Sequence, residues 1–381
     1  MQRIKLGTSI SLSGRYSIQG KESLEGLCLW VKDINQLGGI SIKDKRFPVE
    51  LIHYDDESSV DKCQRIVERL IVKDKVDILI GPYSSGHTLS AAPIAEKYKK
   101  ILWNHGGASD EIFERGFTYI ISTITPASRY LIGIIEMVMK LDEEAKKLAI
   151  FQAEDSGFST NVAQGAKHYG KEKGFELIEF RYLSGTKDFS LFLKRVRENN
   201  PDIVLGVGRA EDDLILANQI MENRINAKAI GLVVAGINYF REILGKGAEG
   251  FLGPSQWERG IRIKPDFGLG PQEFFERFKD VYNKEPNFLA AQGYNIGLII
   301  QRCIQESGTI DDLGIRETAN RIEFKTFYGD FKIDPTTGNQ IGHKVVIVQW
   351  QGENKYIVHP EEMAERAPIY PKPFLSQYPI I

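Results

Sequence analysis

The chain opens on an apolar run, IKLGTSISL (Ile4 to Leu12), which Gly14 breaks before the period changes. Between Ser23 and Asn35 the apolar residues Leu24, Leu27, Leu29, Val31 and Ile34 recur at helical spacing. The first run predicts a buried strand and the second a helix, ended by Leu37-Gly38-Gly39 because glycine takes the left-handed conformation that helix termini favour. PVELIHY (48 to 54) predicts the next strand, Asp61 to Val72 a helix and VDILIG (76 to 81) a strand. Helix Ser90 to Lys97, strand Lys100 to Asn104, a short helix from Ser109 or Asp110 and strand Tyr119 to Ser122 continue the series. Strands alternating with helices predict a parallel sheet covered on both faces.

The alternation restarts at about residue 124: helix Ser128 to Lys140, strand Lys147 to Gln152, helix Ser159 to Lys173, strand Glu176 to Tyr182, helix Phe189 to Asn199, strand Asp202 to Gly206, helix Asp212 to Asn223. A second parallel sheet follows. From about residue 254 the segment GPSQWERGIRIKP is rich in turn formers, and helices Pro271 to Tyr282 and Phe288 to Glu306 come after it. Gly329 to Ile333, a DPTTGNQ turn, Val345 to Trp350 and Lys355 to His359 then read as antiparallel strands. A tail from Arg366, carrying Pro368, Pro371, Pro373 and Pro379, is expected to lie extended over the surface.

At 381 residues the chain is long enough for two lobes. With 42% hydrophobic and 26% charged residues it reads as globular, and a net charge of -2 supplies no overall field toward nucleic acid or an anionic membrane. Cys28, Cys63 and Cys303 show no metal or disulfide spacing, and Cys28 and Cys303, in apolar helical patterns, read as buried structural thiols. No apolar run reaches about 18 residues, and the first residues do not form a secretory leader. That start is expected either of a cytosolic protein or of a mature form with an added initiator Met.

Four loops at strand ends carry the candidate chemistry: SLSGRYSIQG (11 to 20), YDDESS (54 to 59), GPYSSGHT (81 to 88) and NHGGASDE (104 to 111). Hydroxyls and free backbone N–H groups beside helix N-termini can capture an anion such as a carboxylate. Ser84 and Ser85 could bond a ligand and Tyr83 stack on it; equally, Ser85 or Thr88 could cap a helix starting near Leu89. In WNHGGASDEIF (103 to 113), His105 and Ser109 could be a base and a nucleophile. The simpler reading is a loop in which Gly106 and Gly107 turn the backbone close to a ligand, Ser109 or Asp110 caps the helix and His105 packs. The sequence contains no G-x-S-x-G elbow, no phosphate-binding lysine motif and no paired histidines, so no catalytic residue, metal site or cofactor is expected.

GTSISLSGRYSIQG, INQLGGI, ELIHYDDESS, VDILIGPYSSGHTLSAAPIAEKYKKILWNHGGAS, DSGFSTNVAQGAK, GAEGFLGP and FYGDFKIDPTTG occur in that order over roughly residues 4 to 360. Together they resemble type I periplasmic binding proteins, in particular the solute receptors of branched-chain amino acid and amide ABC importers. The resemblance implies an α/β fold of two doubly wound parallel-sheet lobes joined by three crossovers, near 122–126, 250–255 and 328–330. Lobe 1 would comprise 1–121 plus 255–327, lobe 2 124–250 plus 331–360, and 361–381 the C-terminal tail. It further implies a monomeric, non-enzymatic protein, periplasmic or a cell-surface lipoprotein whose leader is absent. Such a protein closes by a hinge on a small ligand in the interlobe cleft and delivers it to a membrane permease, with no role for nucleic acid.

By resemblance, Ser84 or Ser85 and Gly106, Gly107, Ala108 and Ser109 hold the ligand carboxylate, Gln19 and Tyr16 line the pocket, and Tyr83 stacks on the apolar part. Phe158 covers the ligand from lobe 2, with Gly208, Arg209 and Ala235 beside it. Two departures bear on the ligand. The segment LVVAGINYF (232 to 240) lacks the acid that pairs an amino acid's ammonium, and Ala108 stands where a threonine is usual. An unpaired buried ammonium costs several kcal/mol, so unless Glu154, Asp155 or Glu211 substitutes, the expected ligand has a carboxylate or amide and an apolar or aromatic body. Arg209 is either its counterion or a surface residue. A cytosolic ligand-sensing regulator of the same fold, and a hydrolase or dehydrogenase, remain as alternatives.

Overall fold

The computed structural model of the chain describes residues 3–373. Its contacts divide the chain into two units, residues up to 126 with 262–344, and residues 127–261 with those from 345 onward.

The first unit begins with β1 (Ile4–Ile10), α1 (Ser17–Gln36), a hairpin of β2 (Ile40–Ile42) and β3 (Lys45–Phe47), then β4 (Val49–Asp55) and α2 (Val60–Val72). It continues through β5 (Ile78–Ile80), α3 (Ser85–Lys97), β6 (Leu102–Asn104), α4 (Glu111–Glu114) and β7 (Ile120–Ser122). The sheet order is β4-β1-β5-β6-β7, all parallel. Because the chain runs from β1 to β4 on one side and returns to β5 on the other, the strand order reverses between β1 and β5. In such sheets ligands bind at the carboxyl ends of the strands flanking that reversal.

The second unit follows with α5 (Ile132–Leu141), β8 (Lys147–Ala153), α6 (Gly157–Glu172), β9 (Glu176–Tyr182), α7 (Ser190–Asn199) and β10 (Ile203–Val207). After these come α8 (Ala210–Glu222), β11 (Ala229–Leu232), α9 (Asn238–Leu244) and β12 (Leu252–Ser255). The chain returns to the first unit for α10 (Pro271–Tyr282), α11 (Phe288–Ser307), α12 (Asp312–Arg321), β13 (Phe324–Lys325) and β14 (Asp330–Phe331), and closes in the second with β15 (Val346–Gln351) and β16 (Asn354–His359). Here the order is β16-β15-β12-β11-β10-β8-β9, with β15 and β16 antiparallel. The reversal lies between β8 and β10. Phe151 and Phe180, stacked with ring centroids 4.6 Å apart, anchor this unit's core.

Several boundaries differ from expectation. Residues 331–344 belong to the first unit, not the second: Phe331 pairs with Phe324, Ser122 N–H donates to the Gly338 carbonyl at 2.9 Å, and Arg316 Nη2 donates to the Pro335 carbonyl at 3.4 Å. The chain therefore passes between units at 344/345, and also at 261/262, because β12 pairs with β11 and β15 inside the second sheet. The described part of the tail, irregular backbone as expected, is bonded to the second unit. Gln349 exchanges hydrogen bonds with the Ile369 backbone at 2.7 and 3.0 Å, and Tyr370 Oη donates to Asp142 at 2.9 Å. The expectation for Pro379 and the last eight residues lies outside the described residues.

Helix α1 starts at Ser17 rather than Ser23, its first turn hidden from periodicity by the polar sequence SIQG. Helix α3 starts at Ser85 rather than Ser90, for a reason that belongs to the site.

Candidate ligand-binding site

In the first unit the loops after β1 and β5 flank the strand-order reversal, and the loop after β6 adjoins them. Two acids of YDDESS are held by neighbours within the fold. Asp56, fully buried, accepts from Ser11 Oγ at 2.6 Å, Ser9 Oγ at 3.0 Å and Ser58 N–H at 2.9 Å. Asp55 accepts from the Leu12 N–H at 2.8 Å and Ser13 Oγ at 2.7 Å. Partial burial pushes Asp55 upward, but these hydrogen bonds and one from Glu57 hold its carboxyl below the usual range.

After β5, Ser84 sits at φ 80°, a conformation rare for a residue with a Cβ, and caps α3 by accepting the His87 N–H at 3.3 Å. The cap is thus Ser84, not Ser85 or Thr88; Thr88 Oγ1 donates back to the Ser84 carbonyl at 3.0 Å. Ser85 is left for another task. Its Oγ accepts the Ser109 N–H at 3.0 Å, tying the two loops together while keeping its own proton to donate.

The glycines of WNHGGASDEIF (103 to 113) have a different role from the one expected. Gly106 and Gly107 N–H both donate to Asn104 Oδ1, at 3.3 and 2.8 Å, and Asn104 Nδ2 donates to the Gly107 carbonyl at 2.7 Å. Those N–H groups are not offered to a ligand. A Cβ on Gly106 would stand 2.7 Å from Tyr83 Cα and one on Gly107 2.5 Å from Thr88 Oγ1, so glycine is required by packing. The Ala108 N–H and the Ser85 and Gly86 N–H groups at the start of α3 remain without partners among the described residues.

His105 is buried, with Nδ1 3.2 Å from Ser23 Oγ. Burial pushes its pKa down to about 4 against a hydrogen bond to the Gly81 backbone, so the ring is neutral at pH 7. With one nitrogen on Ser23 and a bond to Gly81, it is oriented into the fold and does not serve Ser109 as a base. Asp110 makes no side-chain cap on α4. Tyr16 packs edge-on against Tyr83 and His87, both at 5.7 Å, and Gln19 lies one turn further along α1.

In the second unit, Phe158 opens α6 after β8, half-buried and edge-on to Tyr130 at 5.4 Å. Gln256 Nε2 donates to Tyr130 Oη at 2.7 Å, adding two residues that sequence reasoning missed. Gly208 follows β10, and its lack of a side chain makes room for Tyr182 Oη. The Gly208 and Val234 N–H groups donate to the two oxygens of Asp213 at 2.8 and 3.3 Å. Complete burial raises the Asp213 carboxyl to about 7 despite these bonds. Arg209 is exposed and pairs with Asp155 at 3.6 Å. Asp155 also accepts from Ser184 N–H and Oγ at 2.9 and 2.7 Å, which keeps its pKa low. Ala235 is turned into the core, its carbonyl accepting Trp350 Nε1 at 2.9 Å. Glu154 and Glu211 are exposed.

Asn104 was legible as an Asn before two glycines at a strand end, a turn-forming signature. Asp213 was not, because the run Glu211-Asp212-Asp213 reads as acidic residues favouring a helix N-terminus.

The family model described as "Periplasmic binding protein" matches residues 3–355. Leu/Ile/Val-binding protein homolog 7 of Brucella abortus (strain 2308) is 25% identical over 383 aligned residues, covering 95% of this chain and 92% of the relative. A putative branched-chain amino acid ABC transporter structure from Silicibacter pomeroyi superposes with a TM-score of 0.84 at 18% identity, over 98% of this chain and 100% of that one. A solute-binding protein of an ABC transporter from Rhodopseudomonas palustris BisB5, in complex with 3,4-dihydroxy benzoic acid, gives 0.74 at 20% identity, over 99% of both chains. At these identities the two structures speak to the fold alone. The family match over nearly the whole chain, and two sheets with parallel cores, each with a strand-order reversal, lead to one conclusion: the chain belongs to the type I periplasmic binding protein family, whose members are solute-binding proteins.

Proposed function

We propose that this protein is the extracytoplasmic solute-binding component of an ABC importer, and that its solute is a small carboxylate or amide with an apolar or aromatic body. Loops of both units would engage the ligand, the units would close on it by a hinge motion, and a membrane permease would receive it. The observation that carries the reading is the set of unpartnered donors in the first unit. The Ser85 hydroxyl, the Ala108 N–H and the first N–H groups of α3 converge through the Ser85–Ser109 bond, an arrangement suited to a carboxylate. Phe158 and Tyr130 supply an aromatic surface for the apolar part.

A branched-chain amino acid is the second reading, favoured by the name of the Brucella relative. Against it, Asp155 is held by Ser184 and Arg209, and Asp213 is buried on two backbone N–H groups. Neither is disposed to pair an ammonium. Isothermal titration of aromatic and aliphatic carboxylates, their amides and leucine tests the proposal. Micromolar or tighter binding of a carboxylate or amide is expected, weakened about tenfold or more by Ser85→Ala through the lost charge-assisted donor. Tightest binding to leucine would sink it.

A further inference from the structure

We infer that Gln19 reads a neutral hydrogen-bond donor on the ligand, so that the solute is a carboxylate that also carries a hydroxyl or amide N–H group. The inference rests on the carboxylate reading above and narrows it. Gln19 Oε1 is buried and has no hydrogen-bond partner. A buried acceptor in that state is disfavoured, and native folds leave few of them without a partner to come.

Its position follows from its helix neighbours. Tyr16 meets Tyr83 and His87 on the turn after β5, and Ser23 meets His105 on the loop after β6. Residues 16, 19 and 23 are spaced three and four apart, so they share one face of α1. The Gln19 amide therefore lies between the residues that touch the two anion-directed loops, all within the first unit.

The open groups on those loops are donors: Ser85 Oγ–H, the Ala108 N–H and the first N–H groups of α3. Two side-chain acceptors nearby are engaged, Ser84 Oγ by His87 and Asn104 Oδ1 by Gly106 and Gly107. Gln19 Oε1 is an acceptor still without a partner; His87 Nε2, 3.9 Å from Asp56, is another buried atom there without one. A neutral amide oxygen satisfies a hydroxyl or N–H proton but does not offset a buried ammonium charge. The two acids of the neighbouring loop, Asp55 and Asp56, are tied to serines and backbone N–H groups. The donor is accordingly neutral.

The test titrates the native protein, Gln19→Leu, Gln19→Met and Ser85→Ala with benzoate, the three monohydroxybenzoates, 3,4-dihydroxybenzoate, 4-methylpentanoate, its 2-hydroxy derivative and leucine. At least one hydroxylated member should bind the native protein about tenfold or more tightly than its unhydroxylated parent. Gln19→Leu and Gln19→Met should bring that ratio near one by weakening the hydroxylated ligand more than its parent. Ser85→Ala should weaken parent and hydroxylated ligand alike. A hydroxyl preference unchanged in both Gln19 variants overturns the inference, as does a native protein that binds every parent as well as its hydroxylated partner; the carboxylate reading survives either result. Binding of leucine alone, or of no carboxylate, overturns both.

Discussion

Asn104 shows how much one side chain can organise. It donates to the Gly107 carbonyl and to Ser122 Oγ, accepts from two glycine N–H groups, and is fully buried. Truncation orphans several of those groups at about 1 to 3 kcal/mol each at most, so Asn104→Ala should lower unfolding stability by about 2 to 4 kcal/mol in urea denaturation. A loss below about 0.5 kcal/mol would mean the loop is held by other contacts. His105 makes a different prediction. Its folded pKa of about 4 lies below the ordinary value near 6.5, so below that value the unfolded chain takes up a proton that the folded chain refuses. Stability from this group is complete above about pH 6.5 and declines as pH falls toward 4, by about 3 kcal/mol. His105→Asn should flatten that part of the pH–stability curve, and an unchanged slope would remove His105 as its source. The glycines were legible as a special turn, but not their cause. A string of letters does not say that a Cβ at 106 would strike Tyr83.

At the scale of the element, α3 illustrates where periodicity fails. Its first turn, SGHT, carries no apolar repeat, so the pattern starts late, at the alanines; the true start is set by Ser84 reaching the His87 N–H. Ser84 combines a useful cap with an unfavourable φ of 80°. The two effects separate by substitution. Ser84→Ala loses the cap and keeps the strain, and should destabilise by about 1 to 2 kcal/mol; Ser84→Gly loses the cap but relieves the strain and should stay within about 0.5 kcal/mol of native. Thermal or chemical denaturation measures both, and equal losses in the two variants would show that the strain is absent. The long amphipathic helices and apolar strands of both sheets were legible for the opposite reason, since burial on one face leaves its period in the sequence. β11 and β12, four residues each and rich in glycine or proline, left none. β14 could not be assigned to a sheet from its own residues, because its partner Phe324 lies on a strand of only two residues.

At the scale of the whole molecule, the chain divides into two units and passes between them three times, and under the proposed function ligand capture would engage both. The restart of the strand–helix alternation near residue 124 made two sheets legible. The last crossing was misplaced because 331–344 is held by Ser122 and Arg316 contacts that no local pattern announces, and the one before it because β12 pairs inside the second sheet. A ligand favours the closed state only as far as it binds that state better than the open one, and this requires contacts on each unit. Ligand at a hundredfold above its dissociation constant should stabilise the folded protein by about 2.7 kcal/mol, and hydrogen exchange reports where. Exchange should slow at residues 83–86 and 106–109 of the first unit, and at 157–160 and 208–210 of the second, in the same titration and with the same midpoint. Ser85→Ala should shift both midpoints together, although the substituted residue lies in the first unit, because the two sets of loops would share one ligand. Protection confined to the first unit would show a ligand bound by a single lobe, and hinge closure would then have no source of free energy.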